Sequence, residues 1–170
     1  MDKIEILYGE AERCYTKNHQ LAKPLYEKVV EAIGHRPIDE MDDVELRYFA
    51  LSKMHIFLSS EFQDTDSSEK AIDAFELLRN RNSFDIKICG AYILVLELSY
   101  RYEKSHELLE SLLNEESTVA LALKSLSSYT YCAEGLQSSA DCIAYKKRLI
   151  DMTSDKKEKN RLQKELEAMQ

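Results

Sequence analysis

Apolar side chains recur at helical spacing along almost the whole of this chain. Ile4, Leu7, Ala11 and Cys14 stand at i, i+3, i+7 and i+10, which predicts an amphipathic helix with one narrow apolar stripe. After a break at Asn18-His19, the run Leu21, Ala22, Leu25, Tyr26, Val29, Val30 predicts a second helix. Gly34 stops it as a left-handed cap, with Pro37 shortly beyond. Pro24 is tolerable only in a first helical turn, so this helix is expected to begin late. Asp42-Asp43-Val44-Glu45 reads as a capping box opening a helix that carries Leu46, Phe49, Ala50, Met54, Phe57 and Leu58. Residues 64–68 are the most loop-like stretch, and Ala71, Ala74, Phe75 and Leu78 mark the helix that follows.

Residues 86–100 form the most apolar segment and are expected to be the most buried helix. A helix over 103–113 follows with almost no connector. Residues 114–117 reset the chain, with Ser117 as N-cap. Helices over 119–133 and 138–150 pair around Glu134-Gly135, and a last helix over 155–169 offers only Leu162, Leu166 and Met169 to a core. The expectation is nine helices, mostly antiparallel neighbours joined by short turns.

Composition sharpens this. Only four Gly and two Pro occur among 170 residues, too few for the turns of a β-sandwich or barrel, or for a Gly-rich phosphate loop. The expected class is all-α. The net charge of −8 lacks the basic stripe that nucleic acid demands, so no nucleic-acid partner is expected. The basic residues near the C-terminus, from Lys146 to Lys164, alternate with acids and read as a solvated helix face. No run approaches the ~20 apolar residues of a membrane span, and the N-terminus carries no apolar signal-peptide stretch. Cys14, Cys89, Cys132 and Cys142 lie in helical patterns without a C-x-x-C, which reads as free, buried thiols in the cytosol or nucleus.

A repeat underlies the helices. Tyr100 to Leu113, with Ser105, Leu109 and Leu112 at i, i+4 and i+7, resembles the centre of a tetratricopeptide repeat (TPR), the 34-residue helix-turn-helix unit. Ala71, Phe75, Leu78 and Ala22, Tyr26, Val29 match the same pattern of small, large and apolar residues. Ala140 and Ala144 match, but Lys147 holds the third place. The small anchors are 49, 34 and 35 residues apart, and the segments 36–41 and 64–68 would have to absorb the first excess. Where the family prefers a turn glycine, Gly135 agrees, Tyr100 departs, and Asn18 can substitute because Asn tolerates the left-handed region. The physical basis is close packing: the small residue lets the two helices of a hairpin approach, and the larger one fills the space to the next hairpin.

The resemblance implies antiparallel helix pairs stacked as a right-handed superhelix in one domain, with units near 4–36, 43–81, 86–114 and 118–151. The helix over 155–169 would cap the open end, the alternative being a partner or self-association helix that makes an oligomer. It also implies a concave groove lined by the first helix of each unit. Carried over by position, the groove residues are Tyr8, Glu12, Tyr48, Ser52, His55, Lys87, Leu94, Glu97, Ser125 and Tyr129. One branch of the family clamps acidic C-terminal tails with paired cations. The first-unit places here hold Tyr8 and Glu12, and Lys87 is followed four later by Ala91, so an acidic tail would meet Glu12 and Glu97 with a single cation. The expected ligand is therefore an apolar or amphipathic, neutral-to-basic segment of a partner protein.

Nothing points to catalysis, a cofactor or a metal. None of His19, His35, His55 and His106 has a second His or Cys at i+3 or i+4, and surface or cap positions account for them. No G-x-S-x-G elbow occurs. Glu97, inside an apolar run, comes nearest to a perturbed acid. The expected function is a non-catalytic adaptor or scaffold subunit. Two alternatives stand beside it: a helical bundle binding through its convex or end surfaces, and a phosphopeptide reader built on Arg47, Lys53 and Lys87.

Overall fold

A computed structural model describes residues 3–170. Among the described residues every regular element is helical, ten α-helices and one short 3-10 turn. They gather into two compact units, Met1–Arg101 and Tyr102–Gln170. The boundary falls inside the expected third repeat, 86–114.

The first unit holds α1 (Lys3–Tyr15), α2 (His19–Ile33), the 3-10 turn (Ile38–Glu40), α3 (Asp43–Ser59), α4 (Thr65–Asn80) and α5 (Ile86–Leu98). Each α-helix packs on the next, and α1 also touches α3, as α3 touches α5. α3 is thus central and has ten of its 17 residues buried. The more apolar α5, expected to be the most enclosed, keeps Ile86 and Leu94 in solvent. Neighbours on several sides, not hydropathy, decide which helix is enclosed.

α3 opens on the expected capping box: Val44 N and Glu45 N donate to Asp42 Oδ1 at 2.9 Å, and Asp42 N donates back to Glu45 Oε2 at 3.1 Å. The linker before it is tied down. Arg81, just past α4, donates to the carbonyls of Met41 (2.7 Å) and Asp39 (2.9 Å), and the Met41 side chain is buried.

Several local expectations are corrected. α2 begins at His19, with Asn18 capping the Gln20 N–H from extended backbone, so Pro24 lies in the second turn on an exposed face. Gly34 has positive φ (96°), but its ψ of 165° is not left-handed helix. Residues 64–68 are not a loop. Asp64 accepts from Ser67 N, and both Ser67 and Ser68 are buried in the first turn of α4. The reversal before it is made by Glu61 and Phe62, both in left-handed backbone without a glycine.

The second unit holds α6 (Tyr102–Leu112), α7 (Val119–Leu126), the single-turn α8 (Tyr129–Cys132), α9 (Ser139–Met152) and α10 (Lys156–Ala168). The helix expected over 119–133 is broken at Ser127-Ser128, where Ser128 is extended, so ten α-helices replace nine. Thr118, not Ser117, precedes α7, and its hydroxyl donates back to the Leu112 carbonyl at 3.0 Å. Val119, Leu123, Leu149, Ile150 and Leu162 form one cluster of the unit's core. Leu162 of α10 is buried in that core and Leu166 packs at its edge, so the apolar stripe of the last helix is used inside its own unit.

The small anchors are buried in three places and exposed in the fourth. Ala22, Tyr26, Val29, Ala71, Phe75, Leu78, Ser105, Leu109 and Leu112 are all buried. Ala140 and Ala144 are exposed, and α9 turns Cys142, Lys146, Leu149 and Ile150 inward instead. Tyr100 and Gly135, at the family's turn position, both have positive φ (58° and 74°), whereas Asn18 is extended. Cys132 and Cys142 are joined as a disulfide, contrary to the expectation of four free thiols. Their Cα atoms lie 5.9 Å apart, in the ordinary range for a bridge.

Candidate functional site

In the first unit α1, α2 and α3 bring one carboxylate against a group of rings. Glu12 Oε1 accepts from Tyr26 Oη at 2.6 Å and from His55 Nε2 at 3.2 Å. The His55 ring stacks on Tyr26 with centroids 4.5 Å apart and planes 4° from parallel, and Tyr15 meets it edge-on, also at 4.5 Å. Tyr8 reaches the same group from α1 and touches Tyr48 of α3 at 5.0 Å. The heptad-like spacing of Tyr8, Glu12 and Tyr15 puts them on one side of α1.

The hydrogen bond from His55 holds the Glu12 carboxyl down to about 2, with Tyr26 and Tyr8 acting in the same direction against the opposing effect of burial. Glu12 is therefore a strongly perturbed acid. Burial, with the Glu12 charge beside them, pushes the Tyr8 and Tyr26 phenols up. An ionised carboxylate can only accept, so the proton of His55 lies on Nε2.

Of the positions carried over from the repeat family, the structure brings Tyr8, Glu12, Tyr48 and His55 into this one cluster, with Ser52 one turn before His55 on α3. Accessibility divides them. Tyr8, His55 and Ser52 are buried, Ser52 at 0% exposure, and belong to the helix interface rather than to a lining. His55 is thereby a core residue rather than a surface or cap one. The Glu12 side chain keeps 38% of its surface and Tyr48 is half-buried. Ser52, His55 and Glu12 are the residue types of a nucleophile triad. Yet Ser52 Oγ and His55 Nδ1 make no hydrogen bond, and a substrate has no route to a fully buried hydroxyl.

On α5, Lys87 is exposed, Leu94 is 40% exposed and Glu97 is half-buried. In the second unit Ser125 is half-buried on α7, and Tyr129, opening α8, is 77% exposed. The three cations of the phosphopeptide alternative are not equivalent. Arg47 is paired with Asp85, and Lys53 lies over the Phe49 ring, 5.9 Å from its centroid, with burial drawing its pKa down. Lys87 alone of the three stands in solvent.

Two clefts were not foreseen. One, about 360 Å³, lies between the start of α3 and the α4–α5 turn, where Asp43 and Asp85 are held by Ser83, Arg81 and Arg47. The other, about 280 Å³, lies in the second unit between α6 residues Tyr102, Glu103, His106 and Glu107 and Leu136 of the α8–α9 loop. Among the described residues no three His, Cys, Asp or Glu side chains converge as a metal site requires. None of the described helices is long and apolar enough to cross a membrane. Comparison with protein-family models, with curated proteins and with solved structures gives no match.

Proposed function

We propose that this chain is a non-catalytic TPR-like adaptor that takes a partner's peptide or helix along its first-of-pair helices. The observation that carries this reading is the succession of contacts in the first unit, where α1 touches α3 and α3 touches α5 while each also packs on its sequence neighbour. Stacked hairpins make that double set of contacts, and it presents a ladder of alternate helices to one side. The ladder's exposed or half-exposed members are Glu12, Tyr48, Lys87, Leu94 and Glu97. Apolar and aromatic surface with two carboxylates suits an amphipathic, neutral-to-basic segment. Ser125 and Tyr129 belong to the second unit and are a separate candidate surface.

The test compares proteins captured by the wild type with those captured by Leu94→Asp and Tyr129→Ala, each first shown by circular dichroism to keep its helicity. Selective loss of a captured partner in Leu94→Asp is the expected result. Identical capture by all three proteins would remove the groove and leave the outer surfaces.

A further inference from the structure

We infer that Cys132 and Cys142 form a reversible dithiol–disulfide pair, exchanged by thiols of the glutathione class, whose state sets the order of residues 133–141 and the wall of the α6 cleft. The inference stands on four features of the second unit, independent of the groove.

The two sulfurs differ in access. Cys132 is half-buried on the one-turn α8, whereas Cys142 is fully buried on α9. Each sulfur also has a partner ready for the open form. Cys132 Sγ lies 3.3 Å from the Leu126 carbonyl, in place for a thiol to donate. Gln137 Nε2 lies 3.7 Å from Cys142 Sγ, in place to donate to a thiolate. An incoming thiolate therefore attacks Cys132 Sγ. The S–S bond breaks with its electron pair on Cys142, and Cys132 carries a mixed disulfide. A second thiolate attacks the outer sulfur of that adduct, releasing a low-molecular-weight disulfide and the Cys132 thiolate, and the Cys132 and Cys142 thiolates each take a proton from water. Two small thiols are oxidised to one disulfide, and the protein gains two electrons and two protons.

The consequence follows from what else holds the segment. Between the two cysteines no side chain is buried. Besides the bridge, the segment is held by the Ala133 N–H, which donates to the Tyr129 carbonyl at 2.9 Å, by the Ser138 cap and first turn of α9, and by Gln137, which donates to the Leu126 carbonyl at 3.1 Å and accepts from His106 Nε2 at 3.2 Å. Leu136, one wall of the cleft over Tyr102 and His106, belongs to this segment. With few apolar contacts of its own, it is the part of the unit whose local opening the bridge most restrains.

The full chain is equilibrated in glutathione buffers of graded ratio, quenched, alkylated and mapped by mass spectrometry, with amide exchange followed in parallel. The thiols of Cys132 and Cys142 should appear together, and exchange across 133–141 should speed up about tenfold on reduction, with α7 and α10 far less affected. Cys142→Ser should accept glutathione at Cys132, whereas Cys132→Ser should resist it at Cys142. Thiols that stay alkylatable in excess glutathione disulfide, or equal exchange in both states, would overturn the proposal. Equal adduct yields in the two variants would overturn the assignment of Cys132 as the sulfur attacked.

Discussion

His55 lies flat on Tyr26, their centroids 4.5 Å apart, and both residues donate to the same oxygen of Glu12. One carboxylate on α1 thereby ties α2 and α3 together by polar bonds inside an otherwise aromatic contact.

That arrangement predicts a pH signature. Glu12 titrates near 2 in the folded chain and near 4.5 when unfolded, so its contribution is whole above about 4.5 and is lost as pH falls toward 2. Urea melts should show a stability gap between wild type and Glu12→Gln that is constant from pH 5 to 8 and closes on acidification. Tyr26→Phe should cost about 1 kcal/mol at neutral pH, since it removes one donor and keeps the ring. A gap that widens in acid would contradict the account.

The small anchors should respond unequally to enlargement. Ala71 is fully buried, so Ala71→Leu should cost about 1–3 kcal/mol or more by overpacking. Ala140 is exposed, and Ala140→Leu should change stability by no more than about 0.5 kcal/mol. Denaturant midpoints of the two variants decide it.

Tyr131 and Ser105, both fully buried, share a hydrogen bond of 2.6 Å between α8 and α6. A double-mutant cycle of Tyr131→Phe and Ser105→Ala should give a coupling of about 1 kcal/mol. Additive costs would mean that the bond contributes nothing.

Lys146 is buried on α9 and pairs with Glu165 of α10 at 2.9 Å, while Arg161 pairs with the same carboxylate. Lys146→Met keeps the packed stem and leaves Glu165 its Arg161, so it should cost less than about 1 kcal/mol, and Lys146→Ala more. Leu162→Ala, in the core under α10, should cost about 2–4 kcal/mol and release that helix first in amide exchange.

How much of this was legible depends on the range of the interaction. The capping box at Asp42–Glu45, the helix starts at Ile86 and next to Ser138 and the turn at Gly135 involve residues a few positions apart, and the sequence pattern located them. The polar trio of Glu12, Tyr26 and His55 joins positions up to 43 apart on three helices, and no local period signals it. The same holds for Cys132 and Cys142, which carry no motif yet face each other across the α8–α9 loop.

α9 shows the division most clearly. Its periodicity by itself determined that residues from about 138 to 150 are helical, because apolar residues three and four apart need no partner to be recognised. Which face turned inward was decided only by packing: Val119, Leu123 and Leu162 accept Leu149 and Ile150, while Ala140 and Ala144 stay in water. A helix can be rotated about its axis at little local cost. The choice of face therefore belongs to the neighbours that remove it from solvent, and those neighbours are brought together only by the tertiary fold.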